Sequence, residues 1–272
     1  MSGWRTAPAP AKLNLALVVG PLRADGKHEV VTVLERLALS DTVSVRPASA
    51  TSVAGFPEDT LVRSALVALA SAAGDTIGFE AQLAKRIPVA AGLGGGSSDA
   101  ATALSLANGM LETPLPPSEL DRVAALLGAD VPFFLRTGPQ LGTGDGTALQ
   151  PLDLPREYAV LLARVHGETK RSTADVYGAF DARGGAIGFE QRRAELVDAL
   201  QEVRSAGDLA DLPPNDLASS PLAAELRALG AIRADVTGAG PVVYGLFAER
   251  VDAARAAQAV AGRAVTWLTT PA

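Results

Sequence analysis

Residues 88–102 read Pro-Val-Ala-Ala-Gly-Leu-Gly-Gly-Gly-Ser-Ser-Asp-Ala-Ala-Thr, and the chemistry such a run suits is the holding of an anion. Gly92, Gly94, Gly95 and Gly96 carry no Cβ, so the backbone can enter left-handed conformations and turn several N–H groups toward one phosphate. Ser97, Ser98 and Asp99 are N-cap residue types, and the free N–H groups and positive dipole end of a helix behind them favour negative charge. An ordinary turn has a similar composition, but the abrupt change from glycines to a helix start favours the phosphate cradle. No Lys follows the glycines, as a Walker A loop requires. The acids that a dinucleotide fold would need, Glu112 and Glu119, fall in loop or polar helix. A phosphate site of another type is implied.

Three other groups stand out. Leu127–Leu135 is apolar apart from one carboxylate, Asp130, and a carboxylate in such a run is paired, exposed or functional. Spacing alone favours a cap or turn role for it. Among 24 basic residues only Lys12, Lys27, Lys85 and Lys170 are Lys, and Lys offers a compact, titratable charge that Arg does not reproduce in a tight site. Lys85-Arg86, just before the loop, reads as a solvated strand end. His28, taken alone, reads as a surface or turn histidine.

The elements that must position these groups follow from pattern. Leu13–Val19, Val30–Leu39 and Thr42–Val45 read as strands of a β-meander, with Asp25-Gly26 and the weaker Ser40-Asp41 as turns. Asp59 or Thr60 is expected to cap a helix whose apolar face is Val62, Ala65, Leu66 and Leu69, ending near Gly74. Phe79–Arg86 reads as a strand that delivers the chain to the glycine loop, and the helix beyond runs from about Ser97 to Leu111 before Pro114, Pro116 and Pro117. Ser118 opens another helix. After a linker at Leu152–Pro155, the second half reads as a strand at Tyr158–Val165 and helices at Thr173–Arg183, Glu190–Ser205 and Pro221–Leu229. A strand at Val242–Phe247, a helix at Val251–Ala261 and a strand at Ala264–Thr269 close an α+β half-domain. The expected domains are 1–153 and 154–272.

Composition limits the function. At 272 residues, with 48% hydrophobic and 20% charged residues, the chain has ample core and a globular character. A net charge of −6 argues against a general nucleic-acid binder. The absence of cysteine excludes disulfides, thiolate metal sites and cysteine nucleophiles. His28 and His166 alone are too few for a histidine-rich metal centre. No run approaches a membrane span, and no basic segment followed by an apolar run opens the chain. A soluble cytoplasmic enzyme without nucleic-acid or membrane partners is expected.

Three segments in order, Pro8-Ala9-Pro10-Ala11-Lys12-Leu13-Asn14-Leu15, Pro88–Ala101 and Thr237-Gly238-Ala239-Gly240-Pro241, resemble the three motifs of the GHMP kinase superfamily. Gly92–Ala101 with Leu127–Phe134 resembles, within it, the kinases that phosphorylate a cytidine-diphosphate-linked alcohol of the non-mevalonate isoprenoid pathway. Asp25–Glu29, Ser172–Tyr177 and Asn215–Leu217 extend the likeness across essentially the whole chain. The resemblance implies a two-domain α+β fold with the active site in the cleft between the domains, ATP as phosphate donor and magnesium with it. It makes Asp130 the base that accepts the hydroxyl proton and Lys12 the charge that holds Asp130 and the reacting oxygens. Pro88, Val89, Ala90, Ala91, Gly92, Leu93, Gly94, Gly95, Gly96, Ser97 and Ser98 would wrap the ATP phosphates, with Ser97 or Ser98 near the metal. Asn14, Lys27, His28, Thr173, Tyr177, Gly238, Ala239 and Gly240 would line the substrate site.

Two positions depart from that pattern. The family usually has Tyr, one face of an aromatic sandwich around cytosine, where this chain has Lys27. The Lys stem could cover part of that surface, or its ammonium could reach the diphosphate. Ala239 stands where a Ser is usual and removes one hydroxyl. A GHMP kinase for another small alcohol, of homoserine or mevalonate type, and a non-catalytic nucleotide sensor on the same fold are the competing readings.

Overall fold

The computed structural model describes residues 3–58, 61–169 and 171–272. The chain forms two compact units: one holds residues through Ala11, Leu39–Val89 and Gly94–Thr137, the other Lys12–Ala38, Ala90–Leu93 and Gly138–Ala272. These packing units do not follow the halves 1–153 and 154–272. Two long paired strands, β1 (Arg5–Leu22) and β2 (His28–Ala48), each contribute residues to both units.

In the first unit the later part of β2 pairs antiparallel with β4 (Gly78–Ala84), Thr42 opposite Ala84, and the short β3 (Ser52–Ala54) runs parallel to β4. Helix α1 (Leu61–Ala73) buries Val62, Ala65, Leu66 and Leu69, the face expected from their spacing, and ends before Gly74 at φ +65°. It packs on α2 (Gly95–Asn108) and α3 (Pro117–Leu127); the single turn α4 (Val131–Phe134) also packs on α2. The proposed caps of α1, Asp59 and Thr60, lie outside the described residues.

In the second unit the early part of β2 pairs with β5 (Gln140–Gly144), which forms a hairpin with β6 (Ala148–Pro151). A separate antiparallel sheet places β7 (Ala159–Val165) between β9 (Val243–Phe247) and β10 (Ala264–Thr269), with β8 (Arg233–Val236) on β9. Helices α5 (Thr173–Ala182), α6 (Phe189–Glu202), α7 (Pro221–Ala228) and α8 (Arg250–Val260) complete it, with a 3₁₀ turn at Ala206–Asp211. Leu161, Leu226, Val236, Phe247 and Val260 form one buried core, and Leu17, Val19, Val30, Val176, Phe180 and Leu217 form another beneath α5. Tyr244 ties this sheet to β1, donating to the Leu15 carbonyl at 2.8 Å while accepting from Arg233.

Several expectations are corrected. Ser40-Asp41 is no turn: β2 runs through it, and Asp41 is fully buried because its carboxylate accepts from the backbone N–H groups of Arg86 and Ile87. Helix α2 begins two residues earlier than Ser97, with Gly94 at φ +71° as its N-cap. Ser97, Ser98 and Asp99 therefore do not cap it; Ser98 and Asp99 are buried inside its first turns. Its end also comes earlier, at Asn108, whose side chain accepts from Leu115 N and donates to Leu115 O. Strands β3, β5, β6 and β8 were not apparent from pattern.

Glu35 is a fully buried carboxylate on β2. Its Oε2 and the nearby Tyr158 hydroxyl have no hydrogen-bond partner, and burial pushes its pKa up to about 7, against a smaller lowering from Arg156 and Arg36. A carboxyl whose folded pKa is raised favours the folded state below its unfolded value of 4.5 and loses that advantage as pH rises through about 7. Glu35→Gln is therefore expected to stabilise the protein at pH 8 by up to about 3 kcal/mol and to confer little at pH 5. Denaturant melts at both pH values check this; equal effects at both would contradict it.

Candidate active site

The glycine loop enters from β4 and leaves into α2. Gly92 and Gly94 take φ +78° and +71°, and Ala90, at φ +55°, is the non-glycine residue with positive φ among those described. A left-handed alanine is strained, so this turn is held by its surroundings. At Gly92 a Cβ would lie 2.9 Å from the Gly240 carbonyl oxygen and 3.2 Å from that of Thr237. Glycine is required there by both conformation and space. Gly95 and Gly96 are not left-handed; they form the first helical turn, and a Cβ on Gly96 would meet open space. The loop thus ends in N–H groups of a helix start that no side chain caps.

Within the second unit the first and third motifs meet. Lys12, only 5% exposed, donates from Nζ to Asn14 Oδ1 at 2.6 Å. Asn14 Nδ2 donates to Thr32 Oγ1 at 2.8 Å, and Asn14 N donates to Thr237 Oγ1 at 3.0 Å. A Cβ on Gly238 would come 3.3 Å from Asn14 Oδ1 and 3.7 Å from Lys12 Nζ. Lys12 N also donates to the Leu93 carbonyl. Lys12, Asn14, Gly92, Leu93, Gly238 and Gly240 are therefore brought together, with Asn14 and Gly238 beside the Lys12 ammonium. Asn215, expected only as a matching segment, holds the third motif by donating to the carbonyls of Val236 and Gly238. Thr32 and Thr237 were missed as positioning residues, because their partners lie 18 and 223 residues away.

A second cluster lies along α5. His28 is buried, not a surface residue, and its Nε2 makes a 2.8 Å hydrogen bond with Asp181 Oδ1. Its ring sits 4.7 Å from that of Tyr177, tilted by 31°, with Phe180 edge-on behind it. Thr173, Tyr177 and Asp181 are spaced four apart and share one helix face. Ser172 caps that helix by accepting from Asp175 N. The ammonium of Lys27 is engaged by Asp145 Oδ2 at 2.6 Å. Burial acts to raise the Asp145 pKa, but hydrogen bonds from Lys27 and Thr147 prevail and hold it down at about 2. The Lys27 side chain is 55% exposed.

In the first unit, Asp130 immediately precedes α4, yet its side chain makes no cap hydrogen bond there. Of the two roles favoured by spacing, cap or turn, Asp130 lies in a turn and its side chain does not cap. Lys85 is also corrected: its side chain is 15% exposed and bridges Asp41 and Asp99 at 2.5 Å each, because two fully buried carboxylates require a cation. Arg86, beside it, is exposed as expected.

The residues present suit a polyphosphate such as that of ATP. The loop offers uncapped N–H groups, and Ser98 is fully buried with a hydroxyl that has no hydrogen-bond partner, an arrangement that a ligand oxygen or cation would relieve. No cluster of metal-binding side chains occurs among the described residues, and none of their helices is long and apolar enough to cross a membrane.

Comparison with known proteins agrees with this geometry. Models of the GHMP kinases N-terminal domain and GHMP kinases C-terminal region match residues 60–138 and 216–265. The 4-diphosphocytidyl-2-C-methyl-D-erythritol kinase of Rhodococcus jostii is 40% identical over 281 residues, covering 94% of this chain and 88% of that protein. A crystal structure of 4-(cytidine 5'-diphospho)-2C-methyl-D-erythritol kinase superposes with a TM-score of 0.79 at 30% identity, covering 98% and 99% of the two chains. A homoserine kinase from Cytophaga hutchinsonii, at 16% identity and TM-score 0.64, shares the fold alone. With its three motifs in order and relatives matched over nearly their whole length, the chain belongs to the GHMP kinases, in the family of the 4-diphosphocytidyl-2-C-methyl-D-erythritol kinases.

Proposed function

We propose that this chain transfers the γ-phosphoryl group of ATP to the 2-hydroxyl of 4-diphosphocytidyl-2-C-methyl-D-erythritol. The observation that carries this reading is its full-length kinship with kinases bearing that substrate's name. Residues 88–98 hold the phosphates of ATP through backbone N–H groups and the start of α2. Magnesium, when bound with ATP, neutralises phosphate charge, and the Ser98 hydroxyl is the residue we assign nearest it. Asp130 accepts the proton of the attacking hydroxyl and orients it, Lys12 neutralises charge on the reacting oxygens, and Asn14 fixes the direction of the Lys12 ammonium. A new P–O bond forms as the bond to ADP breaks. Gly238, Ala239 and Gly240 form the floor of the substrate site, and Lys27, His28, Thr173 and Tyr177 its cytidine end. We place the enzyme in the cytoplasm.

ADP formation that depends on the added alcohol tests the assignment, with homoserine and mevalonate as competing acceptors. The Lys27 substitution makes a finer prediction. The Lys27 side chain is more than half exposed, so its pair with Asp145 contributes little to stability, whereas an aromatic ring against the base is worth about 1–3 kcal/mol. Lys27→Tyr is expected to leave the melting temperature nearly unchanged and to preserve or lower the KM for the cytidine diphosphate acceptor. A large rise in KM would show that Lys27 has a recognition role of its own.

A further inference from the structure

One buried ionic group has no part in the reaction just described. Asp41 and Asp99 are both fully buried, and Lys85 Nζ donates to an Oδ2 of each at 2.5 Å. The other oxygen of Asp41 accepts from Arg86 N at 2.5 Å and Ile87 N at 2.8 Å. Burial acts to lower the Lys85 pKa, but the two carboxylates outweigh it and raise the value; the lysine stays charged. Phe56 lies 5.7 Å below its ammonium.

The position of this group gives it its significance. Residues 85–87 are the entry to the glycine loop, and Asp99 sits in α2, the exit. At the first residue of α2, a Cβ on Gly95 would lie 3.2 Å from Ile87 Cγ2 and 3.5 Å from Asp41 Oδ2. Entry and exit therefore converge on one carboxylate and one ammonium, all within the first unit. A buried cluster with two carboxylates and one ammonium is stable only when all three and the two N–H donors are in place. It thus fixes the separation of the loop's two ends more sharply than apolar packing would.

We propose that Lys85, Asp41 and Asp99 form a clasp that positions the phosphate loop, so that Lys85 sets affinity for ATP without touching the acceptor. The proposal rests on reading residues 88–98 as the ATP loop. With the ends clasped, the loop N–H groups are held ready, and binding phosphate costs little reorganisation. Opening the clasp adds that cost to nucleotide binding.

The test measures ADP affinity by calorimetry and KM for ATP and acceptor in wild type, Lys85→Met, Lys85→Arg, Asp41→Asn, Asp99→Asn and the paired Lys85→Met/Asp99→Asn variant. Lys85→Met is expected to weaken ADP binding and raise the KM for ATP by about tenfold or more, with kcat and acceptor KM within about threefold. Lys85→Arg should recover part of the loss, and Lys85→Met combined with Asp99→Asn should cost much less than the sum of the two changes. Where Lys85→Met does not fold, Asp99→Asn and the charge-balanced pair carry the same expectation. A wild type that fails to bind ADP would overturn the loop reading. A wild type that binds ADP beside folded variants with unchanged nucleotide affinity would overturn the clasp alone, as would variants that lose active protein without any change in KM.

Discussion

Asp130→Asn is expected to lower kcat by about a thousandfold or more while the protein stays folded and still binds ADP. Asn keeps the shape of the side chain but removes its charge and its capacity to take the hydroxyl proton. Structure should tolerate the change, because Asn is nearly isosteric with Asp. Phosphoryl transfer proceeds through a loose transition state that demands little base strength, so part of the contribution of Asp130 lies in orienting the alcohol. Asn can orient but cannot accept the proton, and the size of the loss measures the second role. Single-turnover assays and a thermal melt check the prediction; near-normal turnover would remove Asp130 from the mechanism.

Lys12→Ala is expected to lower kcat by at least about a hundredfold. The ammonium is buried and aimed by Asn14, and developing negative charge in a water-poor site depends on such a fixed cation. Asn14 remains held by Thr32 and Thr237 when the lysine is gone, so the loss should appear in kcat, not as collapse of the site. Lys12→Arg should not restore activity, because a longer, planar guanidinium does not place one compact charge where Asn14 Oδ1 holds the ammonium. Rescue by Arg to wild-type turnover would show that charge alone suffices.

What was legible in the sequence was local. The positive φ of Gly92 and Gly94 and the Asp25-Gly26 turn, where Lys27 N bonds Asp25 Oδ1, follow from needs that glycine and aspartate meet within a few residues. The face of α1 is likewise a short-range pattern. What was not legible depends on distant partners. Asp41 reads as a turn residue until Arg86 and Ile87, 45 and 46 residues later, donate to it. Lys85 reads as solvated until the same carboxylate and Asp99 surround it. Lys27 and Asp145 are 118 residues apart. Gly95 and Gly96 show the converse: glycines that read as loop are helical, because α2 starts against Ile87 and Asp41, where a side chain would crowd Gly95.

The most direct measurement is ADP release by the purified protein with ATP, magnesium and each of three alcohols: 4-diphosphocytidyl-2-C-methyl-D-erythritol, homoserine and mevalonate. The account predicts turnover with the first, at a kcat/KM far above the other two, and its loss in Asp130→Asn. Equal or greater turnover with homoserine or mevalonate, or ADP release independent of any alcohol, would contradict it.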